Sequence, residues 1–279
     1  MITNHRPSGD IIAFSNTTEK LRTFFKARGF VEVHTQDRLS ILAACEDPTT
    51  VATYQYEGAV WPLPQTGQMW LEYELLTKPA LPGVFCLSTS YRNEPNPVAG
   101  RHERIFPMFE FESKGTIDDL RTLEEELCEF LGLGKKEAFP HASWEALASH
   151  YKTSDLTSEH ERAMESEFGR VVFLENFPEH TSPFWNMRRT GTHAHKIDVI
   201  IDGMETIGSA ERSIDKDDMR TRFHTISGGG YAELLYKTFG RDRVEKELDE
   251  FLSLHFFPRY GGGIGLTRLM KALSQKNAG

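Results

Sequence analysis

Hydrophobic residues recur at helical spacing in some segments of this chain and alternate as in strands in others. Leu21, Phe24 and Phe25 lie on one face of a predicted helix, and Gly29 is a natural C-terminal stop. Helical spacing predicts helices over residues 17–29, 65–77, 117–131, 142–151, 158–168, 231–239, 243–254 and 266–274. Alternation and short apolar runs predict strands over residues 30–34, 51–56, 84–87, 105–111, 171–174, 194–201 and 205–208. We therefore predict an α+β fold, a single domain over residues 1–279 whose mainly antiparallel sheet is flanked by helices, with a small helical insertion near residues 140–170.

Two of these strands form a predicted hairpin that carries charged and aromatic side chains. The loop at residues 95–100 contains proline and glycine, which favours an antiparallel turn. Arg92 and Glu94 are two residues apart on the first strand and therefore project from one face. Phe106 and Glu110 are four apart on the second strand and share a face for the same reason.

The turn of this hairpin and a distant glycine-rich run complete a candidate nucleotide site. Arg101 and His102 lie at the turn, where positive groups can meet outer phosphates. Arg268 follows the glycine-rich run 261–265, where a backbone can lie against a flat ligand and arginine offers a stacking plane. A cation for phosphate, a carboxylate for an exocyclic amine and Phe106 for the base describe an ATP site. The alternative is a salt-bridged surface hairpin with Phe106 in the core, and short motifs alone do not separate the two.

A second pair of strands carries candidate metal ligands. Asp198 and Glu205 are carboxylates that suit Mg²⁺ when phosphate and water supply its other ligands. The alternative interpretation is a solvated edge of the sheet. His193 and His195 alternate on one strand face, which fits an ordinary polar face better than a metal pair.

Composition narrows the classes of partner. The net charge of −9 and the pI near 5.7 disfavour a broad nucleic-acid footprint, which needs a basic face. No apolar stretch approaches the length of a membrane span, and the N-terminus is too polar for a secretory signal. The three cysteines are odd in number and lack metal-ligand spacing, which predicts reduced thiols in a cytoplasmic protein.

Taken in order along the chain, these motifs resemble a known family. Ser-Tyr-Arg92-Asn-Glu94, followed by Arg101-His102 and Phe106, is similar to motif 2 of the class II aminoacyl-tRNA synthetases. The run Gly261 to Arg268 is similar to their motif 3, and the aspartate, asparagine and lysine subgroup is the closest match. The resemblance extends over residues 17–273, and finding both motifs in order favours the nucleotide site over the surface hairpin.

The resemblance implies ATP and Mg²⁺ as cofactors and an amino acid as substrate. It implies a catalytic set of Arg92 at the α-phosphate and substrate carboxylate, Arg268 on the adenine, and Glu205 at magnesium, to which the residues themselves add Asp198 as the second candidate metal ligand. It places Glu94 at the adenine amino group, Phe106 on the other adenine face, and Arg101 with His102 near the γ-phosphate. The residues implied for the amino-acid pocket are Glu46, Gln65, Gln68, Glu110, Trp185 and Gly208.

Several positions depart from the family pattern. Thr35-Gln36 replaces the Thr-Pro of motif 1, which affects the expected homodimer contact. Leu71 and Glu72 occupy the region where the family's aspartate enzymes have a lysine that binds the substrate side chain. This change puts aspartate as the substrate in doubt. Further changes are Arg104-Ile105 in place of Pro-Glu and Thr267 in place of an acid.

The expected function depends on one domain of the family that the resemblance does not include. The motif 1 helix begins near residue 17, which leaves no room for an N-terminal anticodon-binding barrel, so we expect no tRNA binding. The leading hypothesis is a ligase similar to ammonia-dependent asparagine synthetase, in which an acyl-adenylate of aspartate or an analogue is captured by ammonia. The alternatives are aminoacyl transfer to tRNA or to a protein side chain, and a non-catalytic regulatory paralogue.

Overall fold

The structure, a computed structural model, describes residues 10–35, 39–41, 48–95, 97, 103–181 and 183–275. The helices are α1 (Ile11–Ala27), α2 (Gln68–Thr77), α3 (Ile117–Phe130), α4 (Trp144–Tyr151), α5 (Ser158–Phe168), α6 (Lys216–Thr225), α7 (Gly230–Phe239), α8 (Arg241–Ser253) and α9 (Leu266–Gln275). The strands are β1 (Val31–Glu32), β2 (Thr53–Tyr56), β3 (Ala59–Pro62), β4 (Gly83–Tyr91), β5 (Ile105–Lys114), β6 (His141–Ser143), β7 (Val171–Pro178), β8 (Arg189–Thr190), β9 (His193–Ile201), β10 (Met204–Glu211) and β11 (Arg259–Gly265).

One mixed sheet organises the described residues. Its strand order is β1-β4-β5-β11-β10-β9-β7-β6, with β8 added to β9, while β2 and β3 form a separate hairpin. The pairings are antiparallel except at the two edges, where β1 and β6 run parallel to their neighbours. The predicted α+β fold, a single domain with a mainly antiparallel sheet flanked by helices, is confirmed.

The two faces of the sheet pack against different helices because side chains alternate along each strand. On one face, α1, α3 and α9 cover a core that includes Phe25, Phe85 and Phe111. On the other face, α2 and α6 to α8 enclose an aromatic core around Trp185. Helices α4 and α5 pack on Val172 and neighbouring apolar residues of that same face. Whether α4 and α5 are an insertion stays a prediction.

Most predicted elements are present, with shifted ends. Helix α1 begins six residues before the predicted start, because Asp10 accepts hydrogen bonds from the Ile12 and Ala13 amides and caps it. Helix α6 is absent from the sequence prediction. It is strongly charged and buries only Met219 and Phe223, so its hydrophobic periodicity is weak.

The described residues can be compared with two predictions, that the cysteines are reduced thiols and that the chain has no membrane span. Cys86 and Cys128 are buried thiols, and Cys45 lies outside the described residues. In the described part of the chain, no helix has both the length and the apolar character that crossing a membrane requires.

One acidic residue lies in the core without a hydrogen-bond partner. Glu124 of α3 is fully buried, and neither carboxyl oxygen has a partner among the described residues. The neighbouring Ser209 hydroxyl donates to the Ile197 carbonyl instead, at 3.1 Å. Burial raises the pKa of Glu124 well above its ordinary value; the Ser209 hydroxyl partly opposes this shift, and the nearby Asp198 and Glu175 carboxylates reinforce it.

The raised pKa of Glu124 predicts a pH-dependent stability. A carboxyl group whose pKa is higher in the folded than in the unfolded chain opposes folding only when it is ionised. The free energy of unfolding is therefore highest below the unfolded pKa of 4.5 and falls as pH rises towards the folded pKa. The slope is about 1.4 kcal/mol per pH unit between the two pKa values. We expect Glu124→Gln to gain stability relative to wild type between pH 5 and pH 8 in urea unfolding. Glu129→Gln, at a partly exposed position of the same helix where the carboxylate pairs with Lys135, is the control, and an equal Glu124→Gln difference at both pH values would contradict the prediction.

Candidate active site

A cavity of about 490 Å³ opens on the sheet where β5, β11 and β10 meet the start of α9. It contains the paired charges and the aromatic ring that the sequence motifs predict to lie together. Its lining residues are Arg92, Glu94, Glu103, Phe106, Met108, Met204, Glu205, Thr206, Gly208, Gly263, Gly265, Thr267, Arg268 and Lys271.

Arg92 and Phe106 form one wall of this cavity. Strand pairing sets Ser90 opposite Phe106, so Arg92 emerges beside the ring just after β4 ends. Its amide donates to the Arg104 carbonyl at 2.7 Å, and its guanidinium carbon lies 5.4 Å from the Phe106 ring centroid. The sequence pattern predicted Arg92 on the strand, whereas in the structure it comes directly after the strand. Glu94 lines the same cavity.

Arg268 and Glu205 form the opposite wall. Helix α9 begins directly after β11, which places Arg268 in the first turn of the helix at the cavity. Its Nη1 donates to the Glu205 backbone carbonyl at 2.5 Å. The Glu205 amide donates to Glu161 Oε2 at 3.1 Å, next to a bulge between Glu205 and Ile207. Both backbone groups of Glu205 are therefore held in place at the cavity.

Glycines form the floor of the site. Register aligns Gly263 with Glu110 on one side and with Gly208 on the other, and Gly208 with Asp198. A Cβ at Gly208 would lie 3.0 Å from Glu205 Oε1 and 3.5 Å from Asp198 Oδ1. A side chain there would fill the space between the two carboxylates, so the glycine keeps the floor open.

Asp198 and Glu205 therefore fit a hard divalent cation. Both approach Gly208, and Asp198 Oδ1 is buried without a hydrogen-bond partner among the described residues. Burial raises the pKa of Asp198 to about 7. Lys196 opposes this shift, whereas Glu205 adds to it. The described residues contain no cluster of three or more potential ligand side chains, so phosphate and water would have to complete the coordination.

The two strand histidines have other partners. His193 Nε2 lies 3.0 Å from a Glu145 oxygen, whereas His195 contacts Glu211 at 2.9 Å and Thr190 at 2.8 Å. These contacts agree with the polar-face interpretation.

Glu110 lies beneath the cavity and not on its wall. It is fully buried and accepts hydrogen bonds from the Thr66 and Ser88 hydroxyls and from the Gly67 amide, the last at 2.8 Å. Burial raises the pKa of Glu110, although these three donors partly offset the shift. Its visible role is to hold the segment that leads into α2.

The remaining predicted pocket residues fall in different places. Gln65 is buried and donates to Thr50 Oγ1 at 3.0 Å, and Gln68 is the buried first residue of α2. Trp185 is fully buried among Phe184, Phe223 and Phe251, so the structure places it in the aromatic core instead of on the cavity wall. Its placement is a correction to the sequence prediction, which took its position from the resemblance alone. Glu46, Arg101 and His102 lie outside the described residues.

A buried ionic network that the sequence analysis missed lies beyond Glu110. Glu72 Oε2 accepts from Arg259 Nε at 3.1 Å and from Nη2 at 2.5 Å, while its Oε1 accepts from the Asn186 amide at 2.7 Å. Arg212 donates to Glu112 at 2.5 and 3.0 Å and lies 3.8 Å from Glu72. A Cβ at Gly261 would lie 2.0 Å from the Glu112 carboxylate, so only glycine fits there. The available signal was the presence of Glu112 and Arg259 in otherwise apolar or glycine-rich strands.

Comparison with known proteins gives relatives among the tRNA ligases. A family model described as tRNA synthetases class II (D, K and N) matches residues 2–278. An asparagine–tRNA ligase of Pelotomaculum thermopropionicum is 26% identical over 287 aligned positions, covering 89% of this chain and 62% of the ligase. An aspartate–tRNA(Asp) ligase of Pyrobaculum aerophilum is 29% identical over 119 residues, covering 43% of this chain and 25% of that protein.

Solved structures share the fold. Asparaginyl-tRNA synthetase from Pyrococcus horikoshii, complexed with asparaginyl-adenylate, superposes with a TM-score of 0.78 at 22% identity, covering 95% of this chain and 65% of that one. The Entamoeba histolytica asparaginyl-tRNA synthetase, also with asparaginyl-adenylate, gives 0.74 at 18% identity, covering 95% and 63%. This chain thus spans less than two thirds of each relative. With the family model matching almost every residue, the chain belongs to the class II tRNA synthetases of the D, K and N group.

Proposed function

We propose that this protein uses ATP to activate an amino-acid carboxylate as an acyl-adenylate. The observation that carries the proposal is the placement of Arg92 with Phe106 and of Arg268 with Glu205 on opposite walls of one cavity. Two cations and an aromatic ring around a glycine floor suit a flat base followed by a chain of phosphates. Membership of the class II family adds support, because two relatives have been solved with an aminoacyl-adenylate.

The chemical step needs charge stabilisation and positioning more than a nucleophilic side chain. A carboxylate oxygen of the amino acid attacks the α-phosphorus of ATP, the bond from that phosphorus to the bridging oxygen breaks, and pyrophosphate leaves. Arg92 stabilises the charge that develops on the α-phosphoryl oxygens, and Arg268 holds the adenine against Phe106. Glu205 and Asp198 would hold Mg²⁺, which would supply further positive charge at the phosphates.

The acceptor better supported by the relatives is tRNA. The relatives compared are tRNA ligases or tRNA synthetases, which favours aminoacyl transfer over the ammonia capture expected from the sequence. We therefore propose tRNA as the second substrate, contrary to the initial expectation of no tRNA binding. Ammonia capture is the second candidate, and it rests on the sequence resemblance alone. Asparagine and aspartate are the first amino acids to test.

The expected homodimer is likewise a proposal. Strand β1 forms one edge of the main sheet, and its Val31 is 41% exposed, as are 81% of Ile11 and 65% of Ile12 in α1. Exposed apolar side chains on β1 and on α1 are suited to contact with a second copy. The altered motif 1 residue Gln36 lies outside the described residues.

Amino-acid-dependent exchange of labelled pyrophosphate into ATP tests the activation step. We expect exchange with one or a few of the twenty amino acids, because the reverse reaction regenerates ATP from the adenylate. Release of AMP in the presence of deacylated tRNA, compared with ammonium, then identifies the acceptor. Absence of exchange with every amino acid would favour the non-catalytic alternative and overturn the proposal.

A further inference from the structure

Lys196 forms a shielded ion pair at the edge of the candidate metal site. It precedes Asp198 by two residues on β9, so both side chains project from the same face. Lys196 Nζ lies 2.5 Å from Asp198 Oδ2 and 3.8 Å from the centroid of the Phe177 ring. Only 15% of the lysine side chain and 8% of the aspartate side chain are exposed. The ammonium is therefore a fixed charge within this site and not a solvated surface group.

The other oxygen of Asp198, Oδ1, lies near the glycine floor of the cavity. Asp198 Oδ1 is buried without a hydrogen-bond partner among the described residues. It and Glu205 Oε1 both approach the position that a Cβ of Gly208 would take. A buried carboxylate oxygen without a donor indicates the place of a cation or of ordered water.

One ammonium, that of Lys196, lies among the carboxylates near this place. Asp198 and Glu205 offer two carboxylates, and the Glu161 carboxylate is occupied by the Glu205 amide. Lys196 compensates the charge of Asp198 from its far side. A residue behind a metal ligand tunes both the orientation and the charge of that ligand, and so tunes the affinity for the metal.

We propose that Lys196 prevents a divalent cation from binding before ATP, so that the metal enters the site together with the nucleotide phosphates. Two carboxylates with one charge compensated attract a divalent cation weakly, whereas the phosphates of ATP supply the missing negative charge and oxygen ligands. Lys196 is thus a positioning residue that acts through Asp198. This inference rests on the proposed ATP site.

Binding of Mn²⁺ measured by electron paramagnetic resonance tests the role of Lys196 without any assay of activity. Titrations of the whole chain are run with and without α,β-methylene-ATP for wild type, Lys196→Met, Lys196→Arg and the surface control Lys246→Met. We expect Lys196→Met to bind Mn²⁺ at least about tenfold more tightly than wild type without nucleotide, because one nearby positive charge is lost. Lys196→Arg and Lys246→Met should behave as wild type. Equal nucleotide-free affinity of wild type and Lys196→Met would overturn the inference.

A second variant keeps the inference testable if Lys196→Met does not fold. Asp198→Asn should weaken Mn²⁺ binding in the presence of the analogue by at least about tenfold, because Oδ1 loses its charge as a ligand. An unchanged affinity would mean that Asp198 is no ligand and that Lys196 cannot act through it. Failure of the wild type to bind the ATP analogue itself would instead contradict the proposed function, so the two failures are distinguishable.

Discussion

Replacing Arg92 by alanine is expected to lower amino-acid-dependent pyrophosphate exchange by about 10³-fold. The guanidinium lies on the cavity wall next to Phe106, where it can stabilise the charge that develops on the α-phosphoryl group. The same loss is expected for Arg268→Ala, which removes the opposite wall and the hydrogen bond that fixes Glu205. Arg92→Ala should lower kcat and kcat/KM alike, since its charge acts on the reacting phosphate, whereas Arg268→Ala should also raise the KM for ATP, since Arg268 holds the adenine.

The control for this prediction is an arginine that lies outside the cavity. Arg220 on α6 pairs with Asp249 at the surface, and Arg220→Ala should retain exchange close to the wild-type rate. Circular dichroism and thermal unfolding of each variant establish that the fold is intact. A folded Arg92→Ala protein with wild-type exchange would remove Arg92 from the site.

Replacing Glu72 by glutamine is expected to destabilise the fold by about 3–5 kcal/mol. Glu72 and Arg259 are fully buried, and the carboxylate is the ionic partner of the Arg259 guanidinium. The variant would leave that guanidinium charged in the core without its counter-ion, whereas the Asn186 hydrogen bond can be retained by an amide. The free energy of unfolding, from urea titration followed by circular dichroism, measures the loss.

Glu74 on the same helix provides a matched control. It pairs with Lys78 one turn further on, and that lysine is 56% exposed, so Glu74→Gln should change the stability by less than about 0.5 kcal/mol. The double variant Glu72→Gln/Arg259→Met removes both charges and should cost less than the two single changes added together. Strict additivity, or a wild-type stability for Glu72→Gln, would show that the pair does not contribute as a unit.

Periodicity predicts the elements whose own residues carry a regular pattern of apolar positions. Helix α3 and the β4–β5 hairpin were predicted because their apolar positions repeat at one period and their ends carry capping or turn residues. Helix α6 was missed because its burial depends on packing against other helices and not on its own periodicity. Arg92, Glu94, Phe106, Glu205, Gly208 and Arg268 line one cavity, and it was the resemblance to the class II synthetases that implied roles for them at one site.

Other parts of the site depend on contacts between distant segments. Trp185 was expected on the pocket wall, but its ring is fully buried and packs against Phe223 of α6 and Phe251 of α8. The Glu72–Arg259 pair joins residues 187 positions apart, and no local pattern marks two such charges as partners. The same holds for the glycine at 261, which is required by the carboxylate of Glu112 on the neighbouring strand.

The sequence by itself determined the fold class, the order of the nucleotide-binding motifs and the family resemblance, since these depend on spacing along the chain. The tertiary structure alone decided which charged side chains face the cavity and which form ion pairs in the core. Arg92 and Arg268 face the cavity, whereas Arg212 and Arg259 are neutralised by buried glutamates. The physical reason is that the energy of a charge depends on its burial and on its partner, and both are fixed only when distant strands and helices pack together.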